Sequence, residues 1–268
     1  MAAHDMRLGR LFDPNSGRSF VVAFDRGLVA SARPGGERAL QVIETLTRSS
    51  IDGLLLGPGL AARGLGSFAH RHSPQLLIRC DLLIMSGVLP DGLTGPAEEY
   101  RMLIRPEEAA ALGADVVVLF LVLGQQDPRI TADNAKAVAK AVHRAHAVGL
   151  PVMVEAVLWG PRIKDPRDPA NLAFVCRQAA EFGADVIKTQ YTGDVQSMRD
   201  VLSVVPVPVM ALGGPRTDAL ADAVEISRQV VRAGASGVVF GRNIWQADDP
   251  VAAAAAVSDA VHGDLAAR

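Results

Sequence analysis

The sequence predicts a (β/α)8 barrel, and three observations carry that expectation. Eight short apolar runs alternate with longer helical patterns, as repeated βαβ units require. The junctions Gly113-Ala114-Asp115, Gly183-Ala184-Asp185 and Gly234-Ala235-Ser236 repeat one helix-to-strand transition. The chain has 268 residues, which suits one barrel of roughly 250 residues.

The strands are expected at residues 20–24, 53–56, 76–79, 116–121, 152–156, 186–189, 208–212 and 237–240. Each is a near-continuous apolar run, as a parallel strand covered on both faces should be. Helical patterns fill residues 132–147, 170–182, 218–233 and 251–261, and the Ala252–Ala256 run is a helix former. At the repeated junctions, glycine takes the left-handed conformation that ends a helix, and the chain turns directly into a strand. No composition break interrupts the pattern, so residues 1–268 read as a single domain. The competing architecture is an open doubly wound sheet with a dinucleotide site. It would need a three-glycine fingerprint after the first strand, where Asp25-Arg26-Gly27 stands instead. Gly57-Pro58-Gly59, after the second strand, lacks the third glycine. Two segments depart from the repeat: a Gly/Pro-rich loop at 86–96 after the third strand, and the four-proline stretch 159–169 after the fifth. Loops after strands line the active face of a barrel, so these are candidates to cover substrate or to contact another subunit.

Composition excludes several classes of function. Hydrophobic residues make up 49% and charged residues 21%, with a net charge of −2 and no basic run, so nucleic acid and acidic membranes are not expected partners. The two cysteines, Cys80 and Cys176, lie in apolar stretches, which implies no disulfide framework and a reduced cytoplasm. The N-terminus lacks a signal-peptide core and no apolar run spans a bilayer, so a soluble cytoplasmic protein is expected. Metal chemistry has little support, since His70-Arg71-His72 has no matching ligands nearby in sequence. No serine-nucleophile elbow or Cys-His signature is present either.

Lysine usage is more informative. Of 27 basic residues only four are lysines, and Lys136, Lys140 and Lys164 fall where solvated charge belongs. Lys188 lies within an apolar strand, sharing a face with Val186. Burial disfavours the charged form of an amine, and a neutral amine is what carbonyl attack needs. Arginine cannot lose its proton and could not substitute. The competing reading of Lys188 is a structural ion pair or an outward-facing side chain. Glu155, in another apolar strand, must be paired or protonated; it could relay protons beside Lys188 or simply fix packing. Asp25 ends the first strand on the face of Ala23, where it could orient hydroxyls or move protons, or merely cap a turn. The last two strands end at Gly213-Gly214 and Gly241-Arg242. Exposed backbone N–H groups and a guanidinium there could hold a phosphate, although glycines at strand ends also serve as simple turns.

These segments together resemble the DhnA/archaeal class I fructose-bisphosphate aldolase family, which includes the 2-amino-3,7-dideoxy-hept-6-ulosonate synthases. The resemblance covers almost the whole chain. It runs from Arg7-Leu8-Gly9-Arg10-Leu11-Phe12 through Phe24-Asp25-Arg26-Gly27 and Ile187-Lys188-Thr189. It is densest in Gly213-Gly214-Pro215-Arg216-Thr217-Asp218, Gly234-Ala235-Ser236-Gly237 and Gly241-Arg242-Asn243-Ile244-Trp245-Gln246, the last being the most specific. It implies that Lys188 is a Schiff-base lysine and Asp25 an active-site carboxylate. Gly213, Gly214, Gly241 and Arg242 would surround the phosphate of a phosphorylated small-molecule substrate. It further implies a homo-oligomer and no cofactor. Two positions depart from the family pattern: Arg26 stands where a histidine is common, and Val157 where many members carry a tyrosine proton donor. Glu155, on the strand face of residue 157, is the candidate to replace that donor. The departures keep two alternatives beside the aldolase. One is thiolase-type acyl transfer on a phosphorylated diketone, as in the related thiolase of autoinducer-2 breakdown. The other is a sugar-phosphate-binding protein without turnover.

Overall fold

The computed structural model describes residues 2–29, 32–84, 99–214, 216–217 and 219–263. The predicted loop at 86–96 and the motif residues Pro215 and Asp218 lie outside the described residues. In chain order the elements are α1 (Ala2–Leu11), β1 (Ser19–Ala23), α2 (Ala39–Thr47), β2 (Gly53–Leu56), α3 (Pro58–Gly64), β3 (Gln75–Arg79) and β4 (Asp81–Ile84). Then come β5 (Glu99–Met102), α4 (Pro106–Ala111), β6 (Val116–Leu123), α5 (Pro128–Ala147), β7 (Val152–Leu158), α6 (Pro169–Glu181) and β8 (Val186–Gln190). The chain continues through α7 (Val195–Ser203), β9 (Val209–Leu212), α8 (Leu220–Ala233), β10 (Gly237–Phe240), α9 (Arg242–Trp245) and α10 (Pro250–His262).

Eight parallel strands close in the order β1-β2-β3-β6-β7-β8-β9-β10, which is the (β/α)8 barrel the sequence predicts. The departure is an antiparallel pair, β4–β5, with Asp81 opposite Met102 and Ile84 opposite Glu99. It occupies the flanks of the predicted 86–96 loop. Among the described residues no helix is long and apolar enough to cross a membrane.

Local chemistry explains the element boundaries. Gly113, Gly183 and Gly234 have φ of 83°, 92° and 98°, the left-handed helix-ending conformation expected of the repeated junctions. α5 begins at Pro128, four residues before its apolar pattern, because Asp127 accepts from the Arg129 N–H and proline at the first helical position loses no hydrogen bond. Asp168 and Asp249 cap α6 and α10 in the same way. The barrel seam depends on Gly237 (φ 136°), where an added Cβ would lie 1.8 Å from the Ser19 carbonyl oxygen of β1.

Strand periodicity builds the interior in layers. Val21, Leu55, Leu77, Val118, Met153, Val186, Met210 and Val239 fill the barrel, with Leu11 of α1 buried against them from the amino end. The opposite strand faces pack under the helices in the larger core. Residues two positions further along the same inner faces form the next layer: Arg79, Phe120, Glu155, Lys188, Leu212 and Gly241. The first polar layer therefore lies at the carboxyl end of the strands, where barrel enzymes do their chemistry.

Candidate active site

Register brings the two charged strand residues together. β7 and β8 pair with Glu155 directly opposite Lys188. The Lys188 Nζ donates to Glu155 Oε2 at 2.9 Å, and the residues are 5% and 8% exposed. Lys188 thus faces inward, and the outward-facing alternative is excluded.

Arg79 completes the cluster. It ends β3, is 1% exposed, and its Nη2 donates to the same Glu155 oxygen that Lys188 uses. Its Nε donates to Asp25 Oδ2 at 3.0 Å, and its guanidinium lies 3.8 Å from the centroid of the Phe120 ring. Asp25 precedes a short 3-10 turn, but its side chain makes no capping hydrogen bond, so the turn-cap alternative does not describe it. One chain of charge therefore runs Asp25–Arg79–Glu155–Lys188, alternating in sign and balanced.

The electrostatics follow from that alternation. Burial alone would raise the Glu155 pKa, but the Lys188 ammonium and the Arg79 guanidinium outweigh it and hold the carboxyl below its ordinary value. Burial pulls the Arg79 pKa down, and Glu155, Asp25 and Asp81 together more than reverse this, raising it above normal. Asp81 is the exception. Its Oδ2 accepts from the Phe120 N–H at 2.6 Å and the Tyr100 hydroxyl at 3.0 Å, yet burial dominates and pushes its pKa up to about 7. Its Oδ1 stands 3.7 Å from Arg79 Nη1, and neither atom has a hydrogen-bond partner.

A stability effect follows. An unfolded aspartate titrates near 3.9, so from there up to about 7 the folded chain binds more protons than the unfolded one. This group's contribution to stability therefore falls as pH rises through that window. Asp81→Asn retains an oxygen for Phe120 and Tyr100, and thermal melts from about pH 5 to about pH 8 should show a flatter decline than the parent. Equal slopes in the two proteins would contradict the assignment.

The glycine loops face the same cavity, a space of about 170 Å³ lined by Asp25, Arg79, Glu155, Lys188, Gly213, Gly214, Gly241 and Arg242. All seven site residues expected from the sequence thus line one pocket. Packing requires two of the glycines: a Cβ at Gly213 would lie 2.9 Å from the Phe240 ring, and one at Gly241 would lie 3.0 Å from the Ala23 carbonyl oxygen. Arg242 Nη2 donates to the Gly214 carbonyl at 3.0 Å. Burial, and then the neighbouring Arg26 guanidinium, lower the Arg242 pKa. Two cations crowded at one pocket wall attract an anion. Arg26 thus adds a second guanidinium to the Arg242 wall of the pocket.

A second chamber of about 790 Å³ shares Glu155, Trp159, Leu212, Gly213, Gly214 and Arg242 with the first. It extends past Val157 and Tyr191 to Arg167 and Arg216. Trp159, Pro166 and Arg167 place the predicted 159–169 segment on its wall. Val157 is 3% exposed and packs with Leu83, Tyr100, Phe120 and Val122, so no hydroxyl reaches the cavity from that position. The hydroxyls of the chain's two tyrosines have other partners: Tyr100 bonds Asp81, and Tyr191, on the wall of the second chamber, donates to Gln229 at 3.0 Å.

Sequence reasoning missed Arg79, Asp81 and Tyr100. A signal for Arg79 existed, since it is a charge on the inward face of the apolar strand carrying Leu77. Asp81 and Tyr100 gave none, because their meeting depends on β4 pairing with β5. Both cysteines are free and buried, and burial pushes the Cys176 thiol up to about 12.

Comparison with known proteins shows the family. The family model described as DeoC/LacD family aldolase matches residues 21–247. An uncharacterized aldolase of Saccharolobus solfataricus is 32% identical over 267 residues, covering 98% of this chain and 95% of that protein. The 2-amino-4,5-dihydroxy-6-oxo-7-(phosphonooxy)heptanoate synthase of Streptomyces griseus is 31% identical over 261 residues, covering 97% and 90%. A solved archaeal fructose-1,6-bisphosphate aldolase, with its catalytic lysine covalently bound to the carbinolamine intermediate of the substrate, superposes with a TM-score of 0.81. It is 25% identical, with 97% of this chain and all of that one covered. The chain belongs to the DeoC/LacD family of aldolases.

Proposed function

We propose that the chain is a class I aldolase that makes or breaks a carbon–carbon bond in a phosphorylated ketose through a Schiff base on Lys188. The observation that carries this reading is the placement of Lys188 Nζ. It is buried on the inner barrel face, 2.9 Å from a carboxylate, in one cavity with the glycine loops and Arg242.

The chemistry follows from the contacts. As the ketone arrives, Lys188 passes a proton to Glu155, and the amine nitrogen attacks the carbonyl carbon. A proton moves from the attacking nitrogen to the carbinolamine oxygen, and a further proton from Glu155 lets that oxygen depart as water, leaving an iminium. The iminium carries the single positive charge that the ammonium carried, so the Asp25–Arg79–Glu155 array stays balanced throughout. Asp25, held by Arg79 Nε, accepts the proton of the hydroxyl next to the scissile bond. That bond breaks, its electron pair moves into the iminium to form an enamine, and an aldehyde leaves. The proton taken by Asp25 is delivered to the enamine carbon, and hydrolysis returns the ketone product and free Lys188. The iminium is the electron sink, so the cycle calls for no cofactor.

The two chambers divide the substrate. The phosphate belongs beside Arg242, Arg26 and the glycine loops, which hold the reacting carbonyl beside the amine. The aldehyde half belongs in the larger chamber, where Val157 leaves room that tyrosine would fill. The Streptomyces griseus relative is named for a product with a ketone beside a phosphorylated carbon. A ketone of that type, joined to an aldehyde longer than a triose, is the substrate class that suits this pocket.

Borohydride trapping with a panel of 1-phosphorylated ketoses tests the reading. One adduct per chain is expected, mapped to the Lys188 peptide, with aldehyde released in untrapped samples. The unphosphorylated ketoses should trap weakly. Product formed only with coenzyme A would assign acyl transfer instead. Binding without an adduct or turnover would assign a sugar-phosphate binder.

A further inference from the structure

At the amino end of the barrel, opposite the catalytic pocket, three side chains from three elements converge. We propose that His4 of α1, His146 at the end of α5 and Asp185 at the head of β8 form a binding site for one divalent transition-metal ion of the zinc type, which fastens the helix plugging the barrel floor.

The geometry is compact. One ligand atom from each residue lies within 4.8 Å of the others. His4 Nε2 is 3.0 Å from Asp185 Oδ1, and His146 Nε2 is 2.8 Å from Asp185 Oδ2. The two imidazole rings meet edge to face, with centroids 5.0 Å apart. An ion bound at about 2.0–2.2 Å from each ligand atom needs only small side-chain rotations to enter this cluster.

The hydrogen bonding leaves room for a cation. His4 faces carboxylates from both ring nitrogens, since Nδ1 lies 3.0 Å from Asp5 Oδ1. A neutral imidazole carries one N–H and satisfies one of these oxygens, leaving a lone pair aimed at the other. With the N–H given to Asp5, Nε2 is the free ligand nitrogen, and Asp5 becomes the outer carboxylate that commonly orients a metal-bound histidine. Asp185 is also prepared. Its Oδ2 accepts from the Val152 N–H at 2.8 Å, which fixes the carboxylate while Oδ1 points to His4. Two imidazoles and one carboxylate suit zinc, cobalt or nickel and do not suit calcium or magnesium, which take oxygen donors. A fourth position is left for water.

The consequence is structural. α1 reaches the barrel through Leu11 in the interior, Arg7 on the Gly149 carbonyl and Arg10 on Asp115. His4 on Asp185 is a fourth tie, and a metal shared with His146 would reinforce it and extend it from the head of β8 to α5.

The test uses the full chain, stripped with chelator and desalted, then titrated with Zn²⁺ by calorimetry and with Co²⁺ by visible absorption. One equivalent should bind, with the intense bands of a four-coordinate cobalt site, and Zn²⁺ should raise Tm. His4→Ala and His146→Ala should each weaken binding at least about ten-fold and abolish the Tm rise, while Lys188 traps ketose as before. His4→Gln and His146→Gln serve where an alanine variant fails to fold. Absence of stoichiometric binding overturns the proposal. So does one equivalent bound with equal affinity in both histidine variants, which would place the ion elsewhere.

Discussion

Lys188→Met is expected to lower turnover by roughly 10⁴-fold or more, the scale on which loss of a covalent nucleophile is felt. The variant should fold. Methionine has similar volume and tolerates a buried apolar setting, and Glu155 keeps its bond to Arg79. The comparison that isolates the chemistry is Lys188→Arg. It preserves the charge opposite Glu155 but cannot lose a proton, so it should be as inactive as methionine while retaining more of the parent's stability. A charge role alone would leave arginine partly active. Steady-state rates beside borohydride trapping make the measurement, and substantial turnover in the methionine variant would falsify the Schiff-base reading.

Much of this site was legible because strand geometry is periodic. The two-residue repeat carries Val186 to Lys188, Met153 to Glu155 and Ala23 to Asp25 on one face, so a polar residue after apolar ones on that face must enter the barrel mouth. The glycine junctions were legible for a similarly local reason, since left-handed φ is nearly private to glycine. What could not be read is which inward residues meet. Glu155 faces Lys188 because β7 and β8 pair in one register, and a shift of one residue would have separated them. Arg79 was hidden differently. A charge ending an apolar run looks like the strand's exit to solvent, whereas here it is among the most buried side chains of the fold. Its partners Asp25 and Glu155 lie 54 and 76 positions away. The β4–β5 pair, which brings Tyr100 to Asp81, joins segments separated by a Gly/Pro-rich stretch that reads only as loop. α1 entered the sequence reading as a terminus without a signal sequence and as the first stretch of the family resemblance, with no place in the barrel, yet its Leu11 closes the barrel floor.

Removing Arg79 should have the largest effect on stability. Arg79→Met takes away the cation between Asp25 and Glu155 and leaves Lys188 alone to balance two carboxylates. Breaking a buried ion pair from one side costs about 3–5 kcal/mol, because the surviving charge has lost its partner but not its burial. For a chain of this size a fall in Tm of roughly 10 °C follows. The same loss should raise the pKa of Glu155, since one of the two cations holding it down is gone. Stability and activity should then both fail at a higher pH on the acid side than in the parent. This contribution is present while Glu155 is ionised and disappears as pH falls through its folded pKa, which the substitution moves upward. A double-mutant cycle separates charge from packing. If the penalty is an unpaired carboxylate, adding Glu155→Gln to Arg79→Met should cost less than the two separate losses together. If the penalty is a cavity left by the guanidinium over Phe120, the two changes should add. Independent addition, with an unshifted acid limb, would mean that Arg79 fills space and does not hold the Asp25 and Glu155 carboxylates.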